Sequence, residues 1–399
     1  MISESKGFSW LRAVGVIAAL AIVVAAFQVD WLLVQRRLNV PKELPWPYTY
    51  FQPQEAVKGG EPKPISAVPS AERTISQEAF DSAQKYAAEI KSSALIVSHR
   101  GRTQLVWYGE GTTADTITHT YHMQFTPLVL LIGIAISEGK IASVDEPAAT
   151  YVTEWKGDER SKITIRNLLQ MNSGLELRFD ANKSDEFFSR DARAYWGSHT
   201  KDVIVTYPAK TAPGQEFNYN YIVPELLGII LERATGQRYA EYLSEKLWKP
   251  LDNKSAYLWL NRAGGESHQD AGLFSAPTDW LNVGTLLLNK GNFAGRQLVP
   301  STWIDEMRRP SATNPNFGFM YLGSPYAAER RMATDKRVTY TVKASEPFLA
   351  DDVSYVDGYG GQRVYVVPSK ELVVVRVGDV ARNYDNAKLV NILLRGLAE

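Results

Sequence analysis

An apolar run near the start of the chain is the strongest constraint on what it can fold into: Ala13 to Val34 is interrupted only by Gln28 and Asp30. These 22 residues, at about 1.5 Å of helical rise each, reach roughly the 30 Å thickness of a bilayer's hydrocarbon core. Trp10 and Trp31 stand near the two ends, where amphipathic rings favour the headgroup level, and Lys6 and Arg12 precede the run. A single-pass signal anchor over residues 13–34 is therefore expected, behind a short tail of residues 1–12. A cleaved signal peptide is the alternative, with Val24-Ala25-Ala26 as its small-residue site, but the apolar residues resume at Trp31 to Val34 beyond it. Arg36, Arg37 and Lys42 follow the run and blunt the positive-inside argument for orientation.

Seven prolines lie between Pro41 and Pro69, with Gly59 and Gly60 among them, so residues 35–74 read as an extended tether. A globular domain is expected over residues 75–399. Apolar residues recur at helical spacing over Gln77 to Ile90, Leu128 to Ser137, Ile165 to Met171, Val223 to Arg233, Tyr239 to Trp248, Pro277 to Lys290 and Thr302 to Arg308. Ser93 to His99 and Gln104 to Tyr108 read as a hairpin; Gly361 to Val367 and Leu372 to Val377 are β-rich, and a helix over Asn386 to Leu397 closes the chain. Strands at both ends with helices between them predict an α+β fold: one antiparallel sheet flanked by helices, plus a mostly helical subdomain.

Composition narrows the chemistry. The 399 residues include no cysteine, which excludes a thiol nucleophile, a disulfide framework and Cys-ligated metals. Forty-four basic residues balance 44 acidic ones, so there is no basic surplus for a nucleic-acid partner, and none is expected.

Several segments, in order, carry a family resemblance. They are Leu131 to Ile136 with Glu138-Gly139-Lys140-Ile141, Ile163 to Leu169, Met171-Asn172-Ser173-Gly174-Leu175, and Pro213-Gly214 with Phe217-Asn218-Tyr219. Glu225-Leu226-Leu227-Gly228, Leu247 to Leu251, Ala271 to Ser275 and Gly360-Gly361-Gln362 follow. In this collinear set the chain resembles the serine β-lactamase and penicillin-binding-protein-like hydrolases, in the branch of class C enzymes, esterases and linear-amide hydrolases. The resemblance implies an extracytoplasmic serine hydrolase with an antiparallel sheet beside a helical subdomain, and it favours the periplasm for a domain anchored in the inner membrane.

The resemblance also implies a Ser at the start of a buried helix and a Lys one turn on. Those positions read His122 and Phe125. The family's Tyr-x-Asn is Tyr219-Asn220-Tyr221, and its strand motif of a cation, any residue and glycine is Tyr359-Gly360-Gly361. Of the Ser/Thr-x-x-Lys strings, those at Ser3, Ser137 and Thr153 fall before the apolar run, at the far end of the helix and in a polar connection. Pro127 would interrupt the family's catalytic helix, so regular helix is expected from near Thr126, as N-cap, with His122 to Phe125 in a turn.

The expected pocket is lined by His122, Phe125, Tyr219, Tyr221, Tyr359, Gly360, Gly361 and Gln362. Its aromatic residues read either as a disused polar site filled with rings or as an aromatic-lined site for a small uncharged or aromatic ligand. Tyr219 keeps the position of the family's general base. His122 is a candidate base with no Asp apparent beside it to orient the ring. His119, His122 and Asp115 make a poor metal template, so neither metal nor cofactor is expected. The charged stretch from Leu177 to Tyr207, with Phe187, Phe188, Tyr195 and Trp196, is either a rim over the pocket or packing on the helical subdomain. The reading is a membrane-anchored protein, catalytically degenerate and acting as a binding or accessory module for a small ligand or a cell-envelope protein. The alternative is an ester or amide hydrolase of altered mechanism using His122 or Tyr219.

Overall fold

The computed structural model describes residues 10, 12–17, 29–42, 45–176, 186–319, 322–323, 330–335, 338–342, 344–381 and 384–398. Among them the helices of eight residues or more are α1 (Trp31–Leu38), α2 (Gln77–Glu89), α3 (Phe125–Ser137), α4 (Ile222–Thr235), α5 (Pro277–Leu288), α6 (Ser301–Arg308) and α7 (Lys388–Arg395). The main sheet is built from β1 (Ser92–His99), β2 (Arg102–Tyr108), β3 (Leu322–Gly323), β4 (Ser354–Gly358), β5 (Gln362–Val367) and β6 (Leu372–Gly378). In space they run β2-β1-β6-β5-β4-β3, every pairing antiparallel, so strands from the two ends of the domain meet at β1 and β6.

Alternation along the strands assigns the two faces. Val364 and Val373 stand against Gly284 of α5, while Tyr365 and Arg363, one residue out of phase, bond Asn386 just ahead of α7. Helices thus cover both faces, and β5 is buried along its whole length. The α+β expectation holds, as do the hairpin and most of the helical patterns.

The central helix α3 is buried without interruption from Phe125 to Ala135, and so has no solvent face. Tyr121–Gln124 form a 3₁₀ turn before it, as Pro127 predicts, but regular helix starts at Phe125 and the N-cap is Gln124 rather than Thr126. Proline is tolerated at the third helical residue because the N–H it lacks has no intrahelical acceptor there. The far end stops at Gly139, where the N–H groups of Gly139 and Lys140 return to the carbonyls of Ile136 and Ala135.

The N-terminal region departs from expectation. Residues 18–28, the middle of the apolar run, lie outside the described residues, and no described helix is long and apolar enough to cross a membrane. Trp31 to Val34, expected as the end of the anchor, belong instead to α1, which docks on the domain. Leu33 is fully buried, and Arg36 donates to the carbonyls of Trp196, Gln52 and Leu260, each at 2.9 Å.

The stretch expected as a free tether is laid along the domain over its described residues. Trp46, Tyr48, Tyr50 and Phe51 pack with Trp196, Trp259 and Phe274, and Gln54–Val57 pairs antiparallel with Ala256–Trp259. Prolines keep this segment extended, while its aromatic residues attach it.

Gly133 shows how closely the core is fitted: a Cβ there would lie 2.3 Å from the Trp303 indole, which donates to the Val129 carbonyl at 3.0 Å. In an open helix Gly→Ala stabilises by about 0.5–1 kcal/mol. Here Gly133→Ala is expected to destabilise by about 1–3 kcal/mol through overpacking, read as a lower urea midpoint; a raised midpoint would contradict this packing.

Candidate functional site

The site forms where the 3₁₀ turn meets the segment 267–273. Gln124, fully buried, sets their relation: its Nε2 donates to the His268 carbonyl (2.8 Å) and Gln269 Oε1 (3.2 Å), and its Oε1 accepts from Gly272 and Leu273 N–H (both 2.7 Å). This amide brings Asp270 beside the turn. His122 Nε2 lies 3.4 Å from Asp270 Oδ1, with both side chains almost wholly buried. A carboxylate therefore stands at ion-pair distance from His122, where none was expected. It stands 148 residues away in sequence, so no local spacing reveals it. The only available signal was the polar run His268-Gln269-Asp270 leading into the Ala271 to Ser275 motif.

Four other rings surround the His122 imidazole or each other. Tyr221 lies at 4.9 Å, Phe125 at 5.3 Å and Tyr219 at 6.3 Å between centroids, and Tyr219 in turn meets Tyr221 at 5.5 Å and Phe317 at 6.2 Å. His122, Phe125 and Tyr221 are buried, and Tyr219 is half-buried at the edge. Asn220, between the two tyrosines, turns away and donates to the carbonyl of Glu176 at 2.9 Å.

Tyr359 joins a second group on the other side of the turn. It is buried edge-on to Tyr121 at 5.4 Å, and Tyr121 stacks on His119 at 3.9 Å. Tyr121 carries a φ of +53°, so the backbone is held in an uncommon conformation next to His122. Gly360 and Gly361 take φ of +77° and +86°, which explains why glycine stands at both positions. The amide of Gln362 is committed to the neighbouring strand, accepting from Gly378 N–H at 2.9 Å and donating to the Gly378 carbonyl, and so acts as a brace.

The three groups weighed as metal ligands have separate partners. His119 donates through Nε2 to the Ala271 carbonyl at 2.8 Å, and Asp115 is paired with Lys254. No cluster of three or more His, Asp or Glu suited to a metal occurs among the described residues. Ser137, of the one internal Ser-x-x-Lys string on this helix, donates to the Ile134 carbonyl at the end of α3 remote from His122.

Of the stretch from Leu177 to Tyr207, residues 177–185 lie outside the described residues. Tyr195 and Trp196 pack with Trp259 in the aromatic cluster under the described residues of segment 31–57, the N-terminal strap laid along the domain. Of this stretch, Tyr195 and Trp196 are thus bound to that cluster, whereas Phe188 is exposed.

A second buried acid lies behind Asp270. Glu225 Oε1 accepts the Asp270 N–H at 3.2 Å and stands 3.4 Å from His268 Nδ1, and the His268 ring stacks on Trp259 at 3.8 Å. The site offers an imidazole beside a carboxylate inside a wall of rings.

The chain with this fold and site belongs to the Beta-lactamase family, whose signature matches residues 79–394. Among curated proteins it is 24% identical over 260 residues to the 6-aminohexanoate-dimer hydrolase of Paenarthrobacter ureafaciens, covering 62% of each chain. It is also 26% identical over 235 residues to an N-acetylmuramyl-L-alanine amidase of Bacillus subtilis, covering 46% of this chain and 52% of that protein. The chain thus matches about half to three-fifths of these relatives' lengths. A provisionally named 6-aminohexanoate-dimer hydrolase from Bacillus anthracis has the same fold, with a TM-score of 0.67 at 20% identity over 87% of this chain and 91% of that one.

Burial pushes the His119 imidazole down to about 3, outweighing the Ala271 bond that favours protonation. A folded-state value below the ordinary 6.5 means that the unfolded chain takes up the proton first. The stability contributed by neutral His119 is complete above pH 6.5 and is lost as pH falls towards 3. In equilibrium unfolding, His119→Phe is expected to flatten the pH dependence in that window; an unchanged slope would count against a buried neutral ring.

Proposed function

We propose that this chain is a membrane-anchored, extracytoplasmic member of the Beta-lactamase family whose acyl-transfer site has been given over to ring packing, and that it acts as a binding or accessory module. The observation that carries this reading is the pair His122 and Phe125 at the family's Ser and Lys positions, both buried in the aromatic cluster. Changing the nucleophile alone would leave a polar pocket with unsatisfied groups. Here the Tyr-x-Asn and strand-cation positions are Tyr221 and Tyr359, also buried rings, so the changes agree with one another. The ligand that suits such walls is small and uncharged or aromatic, and a protein of the cell envelope is the other partner class. The apolar run of residues 13–34 is the basis for an inner-membrane anchor with the domain in the periplasm; with Trp31 to Val34 docked on the domain, Ala13 to Phe27 are the residues left for the bilayer.

The contact of His122 with Asp270 favours a second reading, a hydrolase of linear amides or esters in which an oriented imidazole activates water. The Paenarthrobacter relative, a 6-aminohexanoate-dimer hydrolase, is in keeping with that substrate class. Purified chain treated with a fluorophosphonate or a penicillin is expected to keep its intact mass and to leave p-nitrophenyl esters at the buffer rate. Ester hydrolysis that disappears in both His122→Ala and Asp270→Asn would establish the second reading, whereas an adduct mapped to a serine would overturn both.

A further inference from the structure

Helix α1 has two unlike faces. Leu33 and Arg36 face the domain, whereas Trp31, Gln35 and Leu38, at spacings of four and three residues, are exposed on one side. Beside it lies the turn before the helix Arg190–Trp196, where Arg37 donates to the carbonyls of Glu186 (3.0 Å) and Phe187 (2.9 Å) and covers the Phe187 ring at 4.8 Å. Phe188, edge-on to Phe187 at 4.9 Å, is 52% exposed; Trp31 is 61% and Leu38 72% exposed. After residue 17, the large hydrophobic residues exposed among the described residues are these three and Leu349. Exposed apolar surface is therefore concentrated on α1 and the turn that α1 holds.

The chain leading into this helix is short. Asp30 is fixed to the domain: its Oδ1 accepts from Leu33 N–H at 3.1 Å and its Oδ2 from Ser198 N–H at 2.6 Å. Only Gln28 and Val29 separate Asp30 from the uninterrupted apolar residues ending at Phe27. Three Cα steps reach at most about 11 Å. A polar headgroup layer is roughly 5–8 Å deep, so a domain tethered this closely has its attachment face at the bilayer surface.

We propose that the exposed face of α1, with the Phe188 turn, is a footprint that sits in the headgroup layer of a phospholipid bilayer and fixes the domain's orientation to the membrane. Trp, Phe and an Arg whose head bonds backbone carbonyls beside them are the residue types that such an interface accepts. The inference rests on the anchor reading above, and its test separates the two.

Because the chain has no native cysteine, single-cysteine variants can be labelled cleanly. Ile17→Cys, Gln35→Cys, Phe188→Cys and, as a remote control, Leu349→Cys of the full chain would carry an environment-sensitive fluorophore. Each would be reconstituted in phosphatidylethanolamine–phosphatidylglycerol vesicles, with unlabelled thermal midpoints checked against wild type. With headgroup spin-labelled lipid, the Gln35 and Phe188 positions are expected to lose most of their fluorescence and the Leu349 position almost none. With a quencher deep in the acyl chains, Ile17 is expected to be quenched. Quenching at Ile17 without quenching at Gln35 and Phe188 would overturn the footprint and leave the anchor standing. No quenching at Ile17 would overturn the anchor reading and the footprint with it. Shielding at Gln35 and Phe188 that needs no spin-labelled lipid and grows with protein density would assign the face to a second copy of the chain, also against the proposal.

Discussion

The buried amide of Gln124 is the interaction on which the site depends. It satisfies two backbone N–H groups and reaches one carbonyl and one side-chain amide, all on the segment 268–273, and so locks the start of α3 to a stretch far away in sequence. Replacing it by an apolar residue would strand the N–H groups of Gly272 and Leu273 in the core, at about 1–3 kcal/mol each. The approach of Asp270 to His122 follows from this joint.

The site is also linked by direct contacts to the N-terminal strap. The Arg36 guanidinium lies 5.0 Å over the Trp259 ring, and Trp259 stacks on His268. His268 meets Glu225, Glu225 holds the Asp270 N–H, and Asp270 faces His122. Burial pulls Arg36 down to about 10, still charged at neutral pH, with three carbonyls and an aromatic face offsetting the lost water. A docked α1 is thus part of the wall behind the site as well as the route towards the apolar run.

Much of the scaffold was legible in the sequence because its signals are local. Helical spacing marks Gln77 to Ile90 and Val223 to Arg233, and Pro127 alone announces the turn that holds His122. The strap was not legible: Trp46, Tyr50 and Phe51 count as tether residues until Trp196 and Trp259, some 150 to 200 positions on, are seen to pack against them. Asp270 and Glu225 were missed for the same reason, since their meaning lies in long-range contacts. Gln362 stands beside a family motif, but its amide serves the backbone of Gly378. Aromatic identity at Phe125, Tyr221 and Tyr359 could be read directly, whereas their burial could not.

The central claim of the proposed function is that the ring-lined site at the start of α3 is packed interior, and Phe125→Lys tests it most directly because it places a cation where the buried Phe125 ring now stands. If the ring is interior, the variant loses about 3 kcal/mol or more in urea unfolding, from the missing aromatic surface and the buried ammonium together. An unchanged unfolding midpoint, with the new ammonium titrating at its ordinary value, would mean that the position opens on water and would contradict the account.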